Sequence, residues 1–187
     1  MNNTQQTPNS EQKMNNNVTV TEAEYNAANS LYTLFLDHIK AIYWTEKQLL
    51  NALPKMATNA SSPNLKSSIT DHISVTENQI VRLEKVFNLL QEPATGKICE
   101  AATGLIKEGD LILKQTAFGS VRDAAIIAAC QKVEHYEIAA YGTLLNFSKI
   151  LGADEATQLF QQTLAEEKES DKILTDVANV SVNREAL

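Results

Sequence analysis

Only two cysteines, Cys99 and Cys130, occur in 187 residues, and no CxxC pair is present. That excludes a disulfide framework, a zinc ribbon and a redox dithiol. Six glycines and four prolines are too few turn residues for a many-stranded fold. Aromatic residues, which strands favour, make up only 6% of the chain. Positive charge is scarce as well: 16 Lys and Arg stand against 23 Asp and Glu, for a formal net charge of −7. Counterion release therefore cannot drive general nucleic-acid binding. No Lys/Arg run marks a membrane-surface patch, and no apolar run approaches the roughly 20 residues that span a bilayer. The first residues lack the charged-then-apolar pattern of a signal peptide, so a cytoplasmic location is expected. A Gly-rich phosphate loop, a nucleotide motif and a Ser-His-Asp arrangement are also missing.

What is abundant is Leu, Ala, Ile, Lys, Glu and Gln, which favour helix. Residues 1–20 are rich in Asn, Gln and Thr and carry almost nothing apolar, which predicts a disordered tail. Thr21 and Glu24 stand at capping-box spacing and predict a short helical turn. After Ser30, the residues Leu31, Phe35, His38, Ile42, Glu46, Leu49 and Leu53 recur at steps of three and four, one face of a long helix. Pro54 is expected to kink or end it. Ser62-Pro63 reads as a helix start, and Ile69, Ile73, Thr76, Ile80, Leu83, Phe87 and Leu90 form the second stripe, closed by Glu92-Pro93.

Residues 91–120 form a long connection, in which Ile98, Ala102, Leu105, Ile106 and Leu113 predict a shorter helix weakened by Gly104 and Gly109. Ser120 is the expected cap of a third long helix with the stripe Ile126, Cys130, Val133, Glu137, Ala140, Leu144 and Leu151, stopped at Gly152. A fourth begins near Asp154 and carries Phe160, Thr163, Glu167, Leu174 and Ala178. Two helix pairs joined by a long crossover give an all-α, ferritin-like four-helix bundle with a short extra helix, spanning residues 21–180 and followed by a tail at 181–187.

The acids stand where apolar residues are expected. Glu46, Glu137 and Glu167 each lie on a stripe near a helix midpoint, so bundle formation would bring them to one layer. Thr76 is the midpoint of the second helix, with His72 one turn before it, and Glu134 and Asp171 flank the stripes of their helices. Gathering carboxylates in a core is costly, because each ion loses hydration and like charges repel. Raised pKa values or a bound cation resolve the conflict. No Lys or Arg lies on the stripes at this layer, so a divalent cation is the natural counter-charge, and oxygen ligands with one imidazole suit iron or manganese. The alternative for each stripe Glu is a structural or half-exposed role. Cys130 and His38 read as core residues, His135 as a surface residue, Tyr136 and Tyr141 as packing residues and Trp44 as an interface or groove residue.

The segments YWTEKQLLNALPKMA, HISVTENQIVRLEKVF, QKVEHYEIAAYGTLL and LAEEKESDKILTDVA resemble signature blocks of the YciF family of bacterial stress-response proteins (DUF892), from about residue 30 to about residue 180. The resemblance implies a ferritin-like bundle, commonly dimeric, a stress-associated role and a di-metal centre. By position it implies metal ligands at Glu46, His72, Glu134, Glu137, Glu167 and Asp171. Two positions depart from the family pattern: Val75 stands where the second helix carries Glu, and Ala41 where the first carries Asp. The two Glu-x-x-His elements of di-iron bundles are also missing, since Ser170 follows Glu167 at the His place. Glu77 sits about 90° from the stripe centre and could replace the lost acid only by rotation of the helix.

Two functions are therefore expected. One is a homodimeric, cytoplasmic stress protein that binds iron or manganese at the bundle centre, with redox or peroxide-linked chemistry; the departures leave room for a single ion or none. The other is a non-enzymatic scaffold bundle with an incomplete site. Assembly into a storage cage is not implied by fold alone. No residue is identified as catalytic, and no substrate is named.

Overall fold

The computed structural model describes residues 30–187. The expected tail and the Thr21–Glu24 turn lie outside the described residues. Among those described there are five long helices and no strand: α1 Leu31–Asn59, α2 Pro63–Leu89, α3 Glu100–Gln115, α4 Ser120–Ile150 and α5 Asp154–Val177. Helices α1, α2, α4 and α5 form the bundle, and α3 rides on the outside of α4 and α1. No described helix is long and apolar enough to cross a membrane.

Local chemistry sets most of the boundaries. Ser30 and Thr33 form a reciprocal capping box at the start of α1. Ser62 caps α2, with Pro63 in the first turn, where its missing N–H is no loss. The start of α2 has a second support, because buried Asp123 accepts hydrogen bonds from the Ser61 and Ser62 amides (2.7 and 2.8 Å) and from the Ser61 hydroxyl (2.6 Å). A carboxylate there also suits the positive end of the helix dipole. Gly152, at φ 69°, closes α4 in a conformation that a side chain would disfavour.

The sequence reading fails at identifiable places. Pro54 does not end α1, which runs on to Asn59 with Leu53, Met56 and Ala57 buried beyond and beside it. Ser120 does not cap α4. Gly119 holds the cap position at φ 134°, and the Ser120 hydroxyl instead donates to the Glu185 carbonyl at 2.7 Å. At Gly109 in α3 a Cβ would stand 2.6 Å from the Met56 methyl, the flexible end of that side chain, which would have to move aside. The crossover lies against α1, with the Lys97 amide donating to the Lys40 carbonyl at 3.0 Å and Gly96 pressed on Trp44. The C-terminal segment read as a tail continues α5 through a π-turn, Ala178–Val182, and a last turn, α6 Asn183–Glu185; Ala178 and Val182 are buried.

The core has two apolar ends. One is aromatic, built on Phe35, Tyr43, Phe87, Tyr141 and Phe160, and the other is aliphatic, built on Leu49, Leu53, Leu65, Ile69, Ile126 and Leu174. Polar side chains fill the layer between them.

Candidate metal centre

The middle layer is built from residues facing inward on all four bundle helices. Helix α1 contributes Glu46, α2 contributes His72, Thr76 and Gln79, α4 contributes Glu134 and Glu137, and α5 contributes Thr163 and Glu167; all are buried. Ligand atoms of His72, Glu134, Glu137 and Glu167 lie within 4.8 Å of one another. Those four could hold one ion, and the other two residues named from sequence stand differently. Glu46 belongs to the same network but outside that group, its carboxylate accepting a short hydrogen bond from the Tyr141 hydroxyl. Asp171 is half-buried at the edge, where it accepts from Gln131 at 3.1 Å and lies 3.3 Å from the His135 ring.

Burial and mutual repulsion push every acid of the layer toward its neutral form. Desolvation, then the Glu167 charge, raises Glu46 to about 8. Glu167 is raised to about 7, chiefly by burial. Glu134 and Glu137 are raised well above the usual carboxylate range by burial and then by neighbouring acids. Burial lowers His72 to about 4, so its ring is neutral near pH 7. The 3.5 Å approach of His72 Nε2 to Glu134 is consequently not an ion pair near pH 7. On its other side, His72 Nδ1 shares a 2.8 Å hydrogen bond with the Ser170 hydroxyl. If Nδ1 carries the proton, the Nε2 lone pair faces the acids. Fixing a ligating imidazole through its second nitrogen is the common arrangement at metal sites. Ser170, at the place of an absent histidine, thus holds the histidine that is present.

Among the described residues, six buried side-chain polar atoms lack a hydrogen-bond partner: Glu46 Oε2, Thr76 Oγ1, Gln79 Oε1, Glu134 Oε2, Glu137 Oε1 and Glu167 Oε2. All six belong to this layer. One oxygen of each of these carboxylates has no donor when the group is an anion; as acids, Glu137 can pair with Glu46, and Glu134 with Glu167, through shared protons. A divalent ion would replace those protons and use the free lone pairs, so the donor set fits one.

No Lys or Arg stands on the stripes at this layer, but positive charge reaches it from a flank. Arg82, on the flank of α2, grips Glu166 with both terminal nitrogens at 2.8 and 2.9 Å, and its charge lowers the pKa values of Glu46 and Glu167. Gln79 donates a short hydrogen bond to Glu167 and a longer one, 3.3 Å, to Glu166. Gln79 and Arg82 therefore give Glu166 and Glu167 partners of their own. Sequence reasoning missed Gln79, although it lies three residues after Thr76 and its buried face was already assigned. His38 is exposed and edge-on to Phe147, because Ile39 takes the core position. Glu77 is exposed, so it does not replace the acid lost at Val75. Cys130 is buried with its thiol pushed up to about 12, and Cys99 lies 3.1 Å from the Tyr136 hydroxyl; both thiols are free.

Comparison with known proteins bears on the whole described region. Residues 30–187 match the family described as Domain of unknown function (DUF892). Protein YciF of Escherichia coli (strain K12) is 41% identical over 157 residues, 82% of this chain and 93% of that protein. The crystal structure of the Escherichia coli stress protein YciF superimposes with a TM-score of 0.80 at 39% identity, covering 83% of this chain and 99% of the other. YcfI from Rhodopseudomonas palustris gives 0.79 at 39% identity, over 80% and 96% of the two chains. A Xanthomonas campestris protein at 21% identity and a TM-score of 0.63 shares the fold, over 84% and 100% of the chains. The chain belongs to the YciF family, the DUF892 helical-bundle proteins.

Proposed function

We propose that this protein is a stress-associated bundle that binds one divalent cation, iron or manganese, through His72, Glu134, Glu137 and Glu167. The observation that carries the reading is the gathering of all six unpartnered buried polar atoms in the layer holding those four ligands. Three hard carboxylates and one imidazole suit iron or manganese better than a soft, thiolate-preferring ion. When bound, such an ion supplies Lewis-acid or redox chemistry. The chain's own contribution is positional. Ser170 orients the imidazole, while Tyr141 holds Glu46 beside the ligand set. Gln79 and Arg82 steady Glu167 and Glu166. The stress association comes from the Escherichia coli relative, whose structure is that of a stress protein. A homodimer is the expected assembly, and a strict monomer in sedimentation at micromolar concentration would overturn it.

The test is metal content of protein purified without chelator, together with melting curves with and without iron or manganese. A bound ion stabilises the folded state alone, so loading should raise the melting temperature. Glu137→Gln mimics the protonated acid. It should leave metal-free stability at pH 7 unchanged or higher, and weaken metal binding by about 100-fold or more, beyond the loss typical of an outer-shell partner. If no divalent ion co-purifies or shifts the wild-type melting curve, the metal reading fails.

A second reading is a scaffold bundle whose acids stay protonated. It is favoured by the carboxyl–carboxyl pairs and by Val75 and Ala41 in place of acids. The Rhodopseudomonas palustris relative, presented as a candidate structural protein, is consistent with it.

A further inference from the structure

A cavity of about 130 Å³ lies between α2 and α5 and reaches α1 and α4 at its floor. Its walls are apolar: Leu53, Ile69, Val75, Cys130, Ile173 and Leu174. The floor holds His72 and Glu134, two members of the candidate ligand set, and the mouth holds Ser68, Asp71 and Ser170. Glu134 is only 2% exposed, and its Oε2 has no partner. A smaller cavity of about 30 Å³ beneath α3 meets the same His72 and Glu134. The volume suits a molecule of a few heavy atoms. An apolar cavity of roughly 150 Å³ is known to stay dry and take up xenon or benzene. Charge adds a second filter. Asp71 at the mouth repels anions, and apolar walls give any hydrated ion no replacement for its water.

We propose that this cavity is an entry pocket through which a small uncharged molecule reaches the His72–Glu134 side of the bundle centre. The proposal rests on the metal reading for what the molecule meets there, but the pocket itself needs no metal. Val75 is half-buried at the wall, so this chain presents an alkyl surface where the family pattern carries a carboxylate. Ile173, 40% exposed, forms part of the opposite side. Larger side chains at either position would fill the path, and neither position is one of the four ligands.

Two probes test the pocket in the full-length protein. Xenon is applied first to metal-free protein, read by crystallography under gas pressure or by xenon NMR. Xenon should sit between Ile69 and Ile173 in wild type and be expelled in both Val75→Phe and Ile173→Trp. Nitric oxide is then mixed with iron(II)-loaded protein and followed by its iron–nitrosyl spectrum. Both variants should retain wild-type iron content and form the nitrosyl at least tenfold more slowly. Azide, as an anionic probe of similar size, should perturb the wild-type iron spectrum weakly or not at all. Absence of xenon from the wild-type cavity overturns the proposal, as does an unchanged nitrosyl rate in both variants. Slower iron uptake in both variants with no xenon in wild type would mark a cation port and also overturn it. Xenon binding in a protein that takes up no iron would confirm the pocket while the metal reading fails.

Discussion

The two ends of the core are built from different residues and behave differently as walls. At the aromatic end, Phe35 and Phe160 meet edge to face at 5.9 Å, and Tyr43 and Phe87 at 5.4 Å, all at most 5% exposed. At the aliphatic end, Leu53, Ile69, Cys130 and Leu174 are buried too, yet they line the cavity that leads to His72 and Glu134. Both cavities that touch those two residues lie at the aliphatic end. Flat rings interlock and leave little space, whereas the branched aliphatic chains at the other end leave gaps. The difference shows how one bundle can brace its polar centre from one side and leave an approach to it on the other.

The largest expected effect tests that contrast directly. Phe160→Ala should cost about 3–5 kcal/mol in urea unfolding, since it removes a ring packed on two others. Leu174→Ala should cost about 2 kcal/mol, the low end for such a change, because its side chain already borders a void. Equal losses at the two sites would break the comparison.

Next comes Ser170→Ala. It should lower metal affinity by roughly 10- to 100-fold, as loss of an outer-shell partner does, and leave metal-free stability nearly unchanged. Metal titration and melting curves together read both quantities. A loss of metal-free stability without a loss of affinity would make Ser170 a packing residue only.

The smallest effect is the pH dependence of the metal-free protein. Glu46 and Glu167 are raised to about 8 and about 7, so the folded state holds protons that the unfolded chain has released. Their stabilisation is complete below the ordinary carboxylate value and is lost as pH rises through 7 to 8. His72 acts oppositely: lowered to about 4, it stabilises above its ordinary value and loses that as pH falls through about 4. The two trends oppose each other from about pH 4.5 to 6.5. Above pH 6.5 the carboxyl trend stands alone, and stability should fall until the pH passes about 7 for Glu167 and about 8 for Glu46. A bound ion replaces the proton of Glu167, and its charge favours ionised Glu46 beside it, so loaded protein should show a smaller fall. A flat metal-free curve from pH 6.5 to 8 would mean that these acids are hydrated.

Much of this was readable in the chain because it depends on local periodicity and caps. Ser30, Ser62-Pro63 and Gly152 mark helix ends, and the stripes through Phe160, Thr163 and Glu167 place the buried face of α5 correctly. Reading failed where a partner distant in sequence decides. Ser120 looks like a cap but bonds to Glu185, 65 residues on. Asp123 has no local signal, yet it anchors the start of α2 across the bundle. The stripe of α4 was the hardest to place, because that helix packs on α5, α1 and α3 and is buried on more than one side; Glu134, judged to flank it, is 2% exposed.

The sequence by itself determined the four long helices, the crossover with its short helix, and the presence of acids on faces that must be buried. Those follow from a repeat of about 3.6 residues and from the placement of Pro, Gly and Ser. Only the tertiary structure decided which of these acids meet. It joined His72, Glu134, Glu137 and Glu167 and left Asp171 at the edge with His135. It tied Glu46 to Tyr141 and brought Arg82 and Gln79 to Glu166 and Glu167. The physical reason is that periodicity fixes the direction a side chain takes from its own helix axis, whereas the distance between side chains on different helices depends on how those helices slide and rotate against one another.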